Sequence, residues 1–376
     1  MSLLDTCFTA DHLHESFEEI RKSIHFKYNV QDYRINELRE IHSFRQAYKD
    51  GAFSFSYSRP FRLCERGHER LIHPIVFRDR VVIHAFCKYV LIPRLTPYLI
   101  YDNCASQKGK GIDKSLDRMR VHLRRYYIEN NTNEGYILQI DVSKYFDNLR
   151  HDIIIKQMSK YLSQEEMSFL KQVLKENEID VSYMSDEEYK QCDNGVFNSL
   201  QSKPCNNGEK ILYKSVGIGS EISQMIGLFY LHRIDNYIKI VRGIRFYARY
   251  MDDSYIIHPD KVLLKELLAT LKDKYREVGL FINEKKTQIR RINKPVTFLK
   301  TVFILTESGK IIMYKCNDTF KRERRKLKKF FGKIPYEDVE SQYKSWRGTV
   351  TRKPYKNNRQ VKHIDELYNQ LYGGIK

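Results

Sequence analysis

The sequence predicts an α+β fold, in which helices pack against a sheet, and three observations favour this class. Residues 136–140 are a compact apolar run of strand length. Residues 244–257 contain two more apolar runs around a polar centre, as expected for two strands. Elsewhere apolar residues recur at helical spacing, as between residues 263 and 278. Helices and strands that share one chain in this way are typical of a mixed fold.

Length and charge narrow the functional classes. The chain has 376 residues, which suggests two or three domains. It carries 66 Lys and Arg against 47 Asp and Glu, a net charge of +19 that favours a nucleic-acid partner. No run of about 18 apolar residues is present, which argues against a membrane span. Residues 1–20 do not resemble a secretory signal, so we expect a cytoplasmic protein.

The elements before the first sheet strand are predicted to be mostly helical. The patterns predict helices within residues 1–50, a short hairpin between residues 53 and 75, and a buried helix over residues 81–91. A stretch punctuated by glycines, residues 105–111, leads into a basic helix over residues 115–127.

The elements after that strand alternate. They are, in order, helical sequence to about residue 175, an acidic surface insertion over residues 176–195, one long apolar helix over residues 217–241, the two strands, the helix over residues 263–278, and strands over residues 298–313 with a turn at Ser308 and Gly309.

The C-terminal segment concentrates the positive charge. Residues 315–362 hold sixteen Lys and Arg but only five Asp and Glu, and Trp346 and several tyrosines lie among them. A solvated helix face is one interpretation of such a run. The interleaved aromatic residues favour a nucleic-acid groove, with Arg324, Arg325 and Trp346 as candidate contacts.

Three aspartates are the candidate catalytic groups. Asp252 and Asp253 are adjacent between two strand-like runs, and neighbouring carboxylates are costly unless a cation neutralises them. Asp141 ends the apolar strand of residues 136–140. Together they could hold the two hard cations of phosphoryl transfer. Alternatively, Asp252 and Asp253 form a solvated turn and Asp141 caps the following helix.

These residues resemble the ordered motifs of reverse transcriptases, from about residue 65 to residue 350. The matching segments are Arg70 to Val82 and residues 105–111, both similar to the fingers of group II intron-type bacterial enzymes, then Asp141 with Phe146, Gly219 to Gln224, Tyr250 to Asp253, residues 279–287, and residues 296–299.

The resemblance implies a right-hand polymerase. Residues 1–135 would form helical fingers, residues 136–313 a palm with an antiparallel sheet, and residues 314–376 a small helical thumb. The implied activity is RNA-directed DNA polymerisation, in which a primer attacks a dNTP on an RNA template to give a DNA product. The implied cofactor is a pair of Mg²⁺ ions, with Mn²⁺ as a substitute.

The resemblance also implies roles for single residues. Asp141, Asp252, Asp253 and the Val142 carbonyl would hold the metal, and Lys286 would protonate pyrophosphate unless it is only a solvated lysine. Phe146 would lie under the sugar and exclude a 2′-hydroxyl, unless it is a core aromatic. Arg70, Arg78 and Arg80 would contact the triphosphate, unless they form surface ion pairs. Ile218, Gly219 and Gln224 would contact the incoming nucleotide. The implied contacts with nucleic acid are Lys108, Lys110, Tyr250 and Met251.

Two positions depart from many polymerases of this group. Ile218 and Gln224 stand where Gln and Pro are common, a pattern similar to the enzymes of diversity-generating retroelements and some antiphage-defence relatives. We hypothesise relaxed fidelity, because Ile218 offers the nucleotide only apolar contact. An Ile218→Gln variant should then misincorporate less often.

Other functions fit parts of the sequence. A non-catalytic RNA-binding scaffold, a metal nuclease, and a template-independent or protein-primed polymerase are the alternatives. We expect a compact enzyme without an RNase H domain. Its partners would be a cognate non-coding RNA and an accessory protein or second polymerase.

Overall fold

The computed structural model describes residues 2–56, 58–65 and 67–373, and it confirms the predicted α+β class. The α-helices are α1 (Leu3–Thr6), α2 (Ala10–Arg21), α3 (Tyr28–Lys49), α4 (Phe77–Phe86), α5 (Ile92–Leu95), α6 (Ile112–Asn130), α7 (His151–Met158), α8 (Gln164–Lys175), α9 (Asp186–Asn194), α10 (Glu221–Tyr230), α11 (His232–Asn236), α12 (Lys261–Glu277), α13 (Asn317–Phe330), α14 (Tyr336–Thr351) and α15 (Asn358–Tyr372). The strands are β1 (Phe61–Glu65), β2 (His68–Ile72), β3 (Tyr136–Ile140), β4 (Ile179–Asp180), β5 (Ile211–Leu212), β6 (Phe246–Tyr250), β7 (Asp253–His258), β8 (Gln288–Arg291), β9 (Val296–Phe298), β10 (Thr301–Leu305) and β11 (Ile311–Lys315).

The central sheet has the strand order β6-β7-β3-β8, and its neighbouring strands are antiparallel. Successive residues of a strand face opposite sides of the sheet. The register pair Leu138 and Ile256 faces the larger core, which includes residues of α10 and α12. The neighbouring pair Ile137 and Ile257 faces a second core, shared with α6 and β9–β11. A slip of one residue would exchange these faces, so burial on both sides fixes the register.

The predicted hairpin before α4 is present and is formed by β1 and β2. The end of β2 reaches the segment that leads into α10, because Ile72 forms a parallel bridge with Ile218. The backbone N–H of His73 also donates to the Ile218 carbonyl at 3.2 Å. The hairpin is therefore tied to the segment that contains Gly219.

The predicted continuous helix over residues 217–241 is wrong in two respects. Gly217 and Gly219 have φ of +65° and +128°, so the chain before α10 is not helical and α10 begins at Glu221. Ser220 caps α10 by accepting a hydrogen bond from the Ser223 N–H at 3.1 Å. The helical segment is also divided into α10, α11 and a π-helical turn. No glycine or proline stands where α10 ends, so the sequence carries no signal for that break.

The acidic insertion forms a small unit of β4, α9 and β5 that is fastened to the body. Its core consists of Val181, Phe197 and Leu212. The Lys214 ammonium donates to the Cys192 carbonyl at 2.6 Å and to the Gly195 carbonyl at 3.1 Å. The Asn148 side chain bonds the main-chain N–H and carbonyl of Phe197 at 2.8 and 3.0 Å.

Helices α13, α14 and α15 pack around a core of their own. Its buried members are Phe320, Leu327, Val339, Tyr343, Val350, Val361, Ile364 and Tyr372. The unit meets the sheet through β11, where the Lys356 N–H donates to the Met313 carbonyl at 2.8 Å. Within the described residues, no helix combines the length and the apolar character that crossing a membrane requires.

Candidate active site

The register of the central sheet brings the predicted catalytic aspartates to one edge. Strands β3 and β7 pair so that Ile140 lies opposite Ser254. Asp141 follows Ile140 and Asp253 precedes Ser254, so continuing the register by one residue places these aspartates opposite each other. Side chains in such positions have Cβ atoms about 4.5–5.5 Å apart. Asp252 adjoins them in the turn between β6 and β7.

The turn that carries Asp252 is tight and strained. Met251 and Asp252 alone connect the paired residues Tyr250 and Asp253. Met251 has φ of +54°, as the first residue of a two-residue hairpin turn requires. A residue other than glycine pays conformational energy for this angle, and strain of this kind persists where the surroundings hold it in place.

Arg249 supports this turn from its buried side, and no sequence motif pointed to it. Its side chain is completely buried. The guanidinium donates to the Met251 carbonyl at 2.9 Å, to the Leu228 carbonyl at 2.7 Å and to the Asp235 carboxylate at 2.7 Å. A lone arginine inside an otherwise apolar strand was the available signal, because a buried guanidinium needs a carboxylate partner.

Burial and mutual repulsion raise the pKa of both hairpin aspartates. Burial is the larger cause for Asp253, and the charges of Asp252 and Asp141 add to it, which brings the pKa to about 7. Burial and Asp141 raise the pKa of Asp252, while Lys286 and Arg70 act in the opposite direction. Carboxylates that repel one another in a half-buried site are stabilised when a cation binds among them.

The chemistry of these donors fits a hard divalent cation, because such ions prefer carboxylate oxygens. Among the described residues, however, no three or more His, Cys, Asp or Glu side chains already lie together as metal ligands. Lys286 Nζ donates to Asp141 Oδ1 at 3.1 Å. Repulsion among the three aspartates, rather than a preformed ligand geometry, is what supports a cation at this edge.

The segment before β8 fixes the backbone of Asp141. The Asn283 N–H donates to the Asp141 carbonyl at 2.8 Å, and the Asp141 N–H donates to Thr287 Oγ1 at 3.3 Å. The next residue, Val142, forms an antiparallel bridge with Ile282. Residues 279–287, singled out by their motif, thus contact the first aspartate directly.

Phe146 lies in a short 3₁₀ segment after Asp141 and packs on α10. Its half-buried ring rests against Gly227, where an added Cβ would lie 3.1 Å from Phe146 Cε1. The neighbouring Tyr145 hydroxyl donates to the Gly227 carbonyl at 2.6 Å. The absence of a side chain at Gly227 therefore determines how closely the Phe146 ring approaches α10.

Two residues before α10 and one in its first turn were predicted to contact the nucleotide. Ile218 is half-buried and bound to the end of β2, as described above. Gly219 is exposed, and a Cβ there would lie 3.3 Å from Ile72 Cγ2. Gln224 is exposed on α10. None of these placements assigns a ligand to the three residues.

Residues 84–303 match the family model described as reverse transcriptase (RNA-dependent DNA polymerase). The matched segment is more than half of the chain, and it contains the three aspartates, Arg249, Phe146 and Lys286. The chain belongs to this family. No curated protein matches it.

Solved telomerase structures are similar to this reverse transcriptase at low identity. Telomerase from Candida albicans, bound to a fragment of telomeric RNA, is 13% identical with a TM-score of 0.44, over 82% of this chain and 54% of that one. Apo telomerase from Candida tropicalis is 14% identical with a TM-score of 0.45, over 89% and 64%. Apo telomerase from Candida tropicalis truncated from its C-terminal domain is 12% identical with a TM-score of 0.46, over 73% of this chain and 60% of that one. The chain thus spans roughly half to two thirds of these proteins.

The three arginines predicted to bind triphosphate differ in their surroundings within the reverse transcriptase. Arg70 is exposed on β2, and its charge acts on Asp252. Arg78 donates to the buried carboxylate of Asp79 at 3.2 Å and to Ser56 Oγ at 3.0 Å. Arg80 is exposed on α4. Arg78 with Asp79, and Arg70 with Glu65 at 4.0 Å, thus form ion pairs, which were the alternative interpretation.

The basic residues predicted to bind nucleic acid also differ. Lys108 is exposed, whereas Lys110 Nζ donates to the carbonyls of Tyr101 and Asn103, at 2.9 Å each. Arg324 and Arg325 are exposed on α13. Trp346 is half-buried, and its ring packs against the rings of Phe320 and Tyr343, with centroids 6.0 and 5.8 Å away.

Proposed function

We propose that this reverse transcriptase is an RNA-directed DNA polymerase, which joins a primer 3′-hydroxyl to the α-phosphate of a dNTP. The observation that carries the proposal is the convergence of Asp141, Asp252 and Asp253 at one edge of the central sheet. Membership of the reverse transcriptase family favours polymerisation over the hydrolysis that a metal nuclease would perform with similar carboxylates.

Asp141, Asp252, Asp253 and the carbonyl of Val142 would hold two Mg²⁺ ions, with Mn²⁺ as a substitute. When bound, the ions supply charge neutralisation at the attacking hydroxyl and the leaving pyrophosphate. Lys286 is beside Asp141, with 3.1 Å between Nζ and Oδ1, and from there it would donate a proton to the pyrophosphate. The remaining contribution of the chain is to orient the substrates.

Substrate selection is assigned to residues around the aspartates. Phe146 would stack under the sugar and exclude a 2′-hydroxyl, which selects dNTPs. Arg70 and Arg80 would contact the triphosphate, since guanidinium groups suit phosphate oxygens. Arg78 would act at the same place while it is held by its ion pair with Asp79 and its hydrogen bond to Ser56. Ile218, Gly219 and Gln224 would border the nascent base pair.

The nucleic acid would run across all three proposed domains. Residues 1–135 are proposed as fingers, residues 136–313 as palm and residues 314–376 as thumb. The separate core of α13–α15 supports an independent third domain. Lys108, Lys110, Tyr250, Met251, Arg324 and Arg325 are the proposed contacts. Trp346 would support α13 and α14 from within rather than touch the strand.

The biological role that we propose is synthesis on a dedicated non-coding RNA, in a retroelement or in antiphage defence in the cytoplasm. The resemblance of residues 218–224 to such enzymes is the support for this assignment. An accessory protein or second polymerase would be a further partner.

The test begins with the purified full chain and the RNA that accompanies it. Both that RNA and any DNA made after adding dNTPs and Mg²⁺ are sequenced. We expect DNA complementary to the bound RNA, and none from an Asp252→Asn, Asp253→Asn variant. DNA unrelated to the bound RNA would instead favour template-independent synthesis, and bound RNA without any DNA would favour the scaffold.

A further inference from the structure

A cavity of about 600 Å³ opens beside residues 216–220, and none of the three aspartates lines it. Its walls come from six parts of the chain: residues 55–56 with 58–62, residues 71–75 at the end of the β1–β2 hairpin, Asp79 and Ile83 on α4, residues 173–180, residues 199–206 and residues 216–222. Cavities of this size commonly bind small ligands. We call it the Phe55 cavity.

The Phe55 cavity has an apolar wall with one aromatic ring. Phe55 is half-buried, and rings of Phe53 and Phe169 hold it at centroid distances of 5.1 and 5.7 Å. A ring fixed in this way is a stacking surface for a nucleobase, because every base has an aromatic face. The other apolar lining residues include Ile75, Ile83, Val173, Val216 and Ile222.

Two planar polar side chains that line the Phe55 cavity have hydrogen-bonding capacity to spare. Asn177 donates its amide to the Val173 carbonyl at 2.9 Å, and its Oδ1 accepts nothing from the described residues. Oδ1 would lie 2.6 Å from a Cβ at Gly217, so the glycine makes room for it. His73 has no side-chain hydrogen bond within the same described ranges, and burial lowers the pKa of its imidazole. A neutral imidazole and a free amide oxygen offer donor and acceptor groups to a base edge.

Cations line the rim of the Phe55 cavity. Arg59 is exposed and forms no ion pair with the residues that the structure describes. Lys203 is exposed and lies over the Tyr183 ring, 5.7 Å from its centroid. Arg62 donates to the Leu200 carbonyl at 3.0 Å, which keeps its guanidinium at the rim. Phosphate is the anion that such groups bind.

Two of the four acidic residues that line the Phe55 cavity, Asp180 and Asp79, already accept hydrogen bonds. Asp180 accepts from the Ser182 N–H at 2.9 Å and from the Gly208 N–H at 2.7 Å. Asp79 accepts from the Ser56 N–H at 2.6 Å and from Arg78 at 3.2 Å. Burial raises the pKa of Glu176. Glu178 is the remaining acidic lining residue.

We propose that the Phe55 cavity binds one nucleotide, with its base against Phe55 and Asn177 and its phosphate at Arg59 and Lys203. This site is additional to the polymerase centre. The nucleotide comes either from the free pool or from an unpaired position of the bound RNA strand. The shared chemistry is an aromatic base joined to a phosphate.

The test uses the full chain with EDTA, so that metal-dependent dNTP binding does not contribute. AMP and GMP are titrated by calorimetry, and a 12-nucleotide RNA with 2-aminopurine at single positions is titrated by fluorescence. Asn177→Leu removes the free amide oxygen, and Arg59→Gln removes the rim charge. Arg34→Gln, an exposed arginine on α3, is the matched control.

We expect Asn177→Leu and Arg59→Gln to weaken nucleotide binding about five- to tenfold, as for the loss of one typical hydrogen bond. Arg34→Gln should bind the nucleotide as tightly as wild type. Calorimetric binding of AMP or GMP identifies a free nucleotide as the ligand. A fluorescence change from the RNA alone, lost in Asn177→Leu and Arg59→Gln, identifies an unpaired position of the RNA strand as the ligand. Binding that is absent, or equal in all four proteins, overturns the proposal.

Primer extension on the same preparations separates this proposal from the proposed function. Variants that lose nucleotide binding but still synthesise DNA support a separate site. Nucleotide binding by a wild-type protein that makes no DNA would contradict the polymerase assignment and leave the cavity assignment standing.

Discussion

At the scale of single residues, the turn that carries Asp252 depends on groups that are buried behind it. Arg249 joins the Met251 carbonyl to the Asp235 carboxylate and the Leu228 carbonyl. The Tyr247 hydroxyl donates to the same carboxylate at 2.6 Å. This buried cluster holds a turn with an unfavourable φ at Met251. Arg249 is therefore a positioning residue for Asp252 and Asp253.

Replacing Arg249 tests this role. Arg249→Met leaves the Asp235 carboxylate buried without its cation, so we expect the free energy of unfolding to fall by about 3–5 kcal/mol. Arg249→Met combined with Asp235→Leu removes both charges and should recover most of that loss. DNA synthesis should stay at least about tenfold lower in the double variant, because the Met251 carbonyl still lacks its donor. Activity restored together with stability would show that Arg249 only stabilises the fold.

Gly227 controls the position of Phe146. In Gly227→Ala the new Cβ would lie 3.1 Å from Phe146 Cε1, so the ring must move by a few tenths of an ångström. We expect KM for dNTPs to rise about three- to tenfold, because a small displacement of a group that positions the substrate weakens its productive binding. The measurement is single-nucleotide incorporation at varied dNTP concentration.

Gly348→Ala is the matched control for that substitution. Gly348 lies inside α14 with open space around it, and alanine there should stabilise the protein by about 0.5–1 kcal/mol without changing KM. An unchanged KM in Gly227→Ala as well would argue against any role of the Phe146 ring in nucleotide binding.

Sequence patterns singled out the three aspartates as catalytic candidates, but they did not point to the buried groups that support them. Adjacent acidic residues between apolar strands are unusual enough to stand out locally. The role of Gly227 depends on a contact with Phe146, which lies 81 positions away in the chain and which no local pattern can show. Asp235 is likewise an ordinary helix residue until the register of β6 places Arg249 beside it.

At the scale of elements, Lys214, which fastens the acidic insertion, makes the stability of the fold depend on pH. Its ammonium is buried against carbonyls at the end of α9, and burial lowers its pKa from 10.5 to about 8. Between these values the unfolded chain binds a proton that the folded chain has released. Stability therefore increases as pH rises from about 8 to about 10.5.

The expected gain over that range is about 3 kcal/mol, at about 1.4 kcal/mol for each pKa unit. Urea unfolding of wild type and Lys214→Met between pH 7.5 and 10.5 measures it, because other titrating groups are common to both proteins. The difference between the two proteins should favour wild type progressively as pH rises. A constant difference would mean that Lys214 stays charged in the folded protein.

Element types were more predictable than element boundaries. Strand β3 and helix α12 follow directly from apolar periodicity, which burial on one or both faces imposes. The segment before α10 was wrongly included in a helix, because its glycines were interpreted as an introduction to that helix. Their positive φ values arise from the contact with the β1–β2 hairpin, which is a tertiary effect.

At the scale of the whole molecule, charge and architecture coincide. The basic excess of residues 315–362 lies almost entirely in the helical unit with its own core. Arg324 and Arg325 are exposed there, whereas Trp346 packs inside. Composition predicted a nucleic-acid partner, but it could not show which basic segments are exposed. The Phe55 cavity could not be predicted either, since six separate parts of the chain form it.

The central claim is that the register of β3 and β7 assembles the three aspartates into the catalytic centre of an RNA-directed DNA polymerase. The most direct measurement is dNTP incorporation into a DNA primer on a defined RNA template, for wild type, Asp141→Asn and Asp253→Asn. Asp273→Asn, an exposed aspartate on α12, is the control. We expect template-directed extension by wild type and the control, and at least about a hundredfold loss in each of the other two variants. Extension that survives in Asp141→Asn or Asp253→Asn would contradict the account.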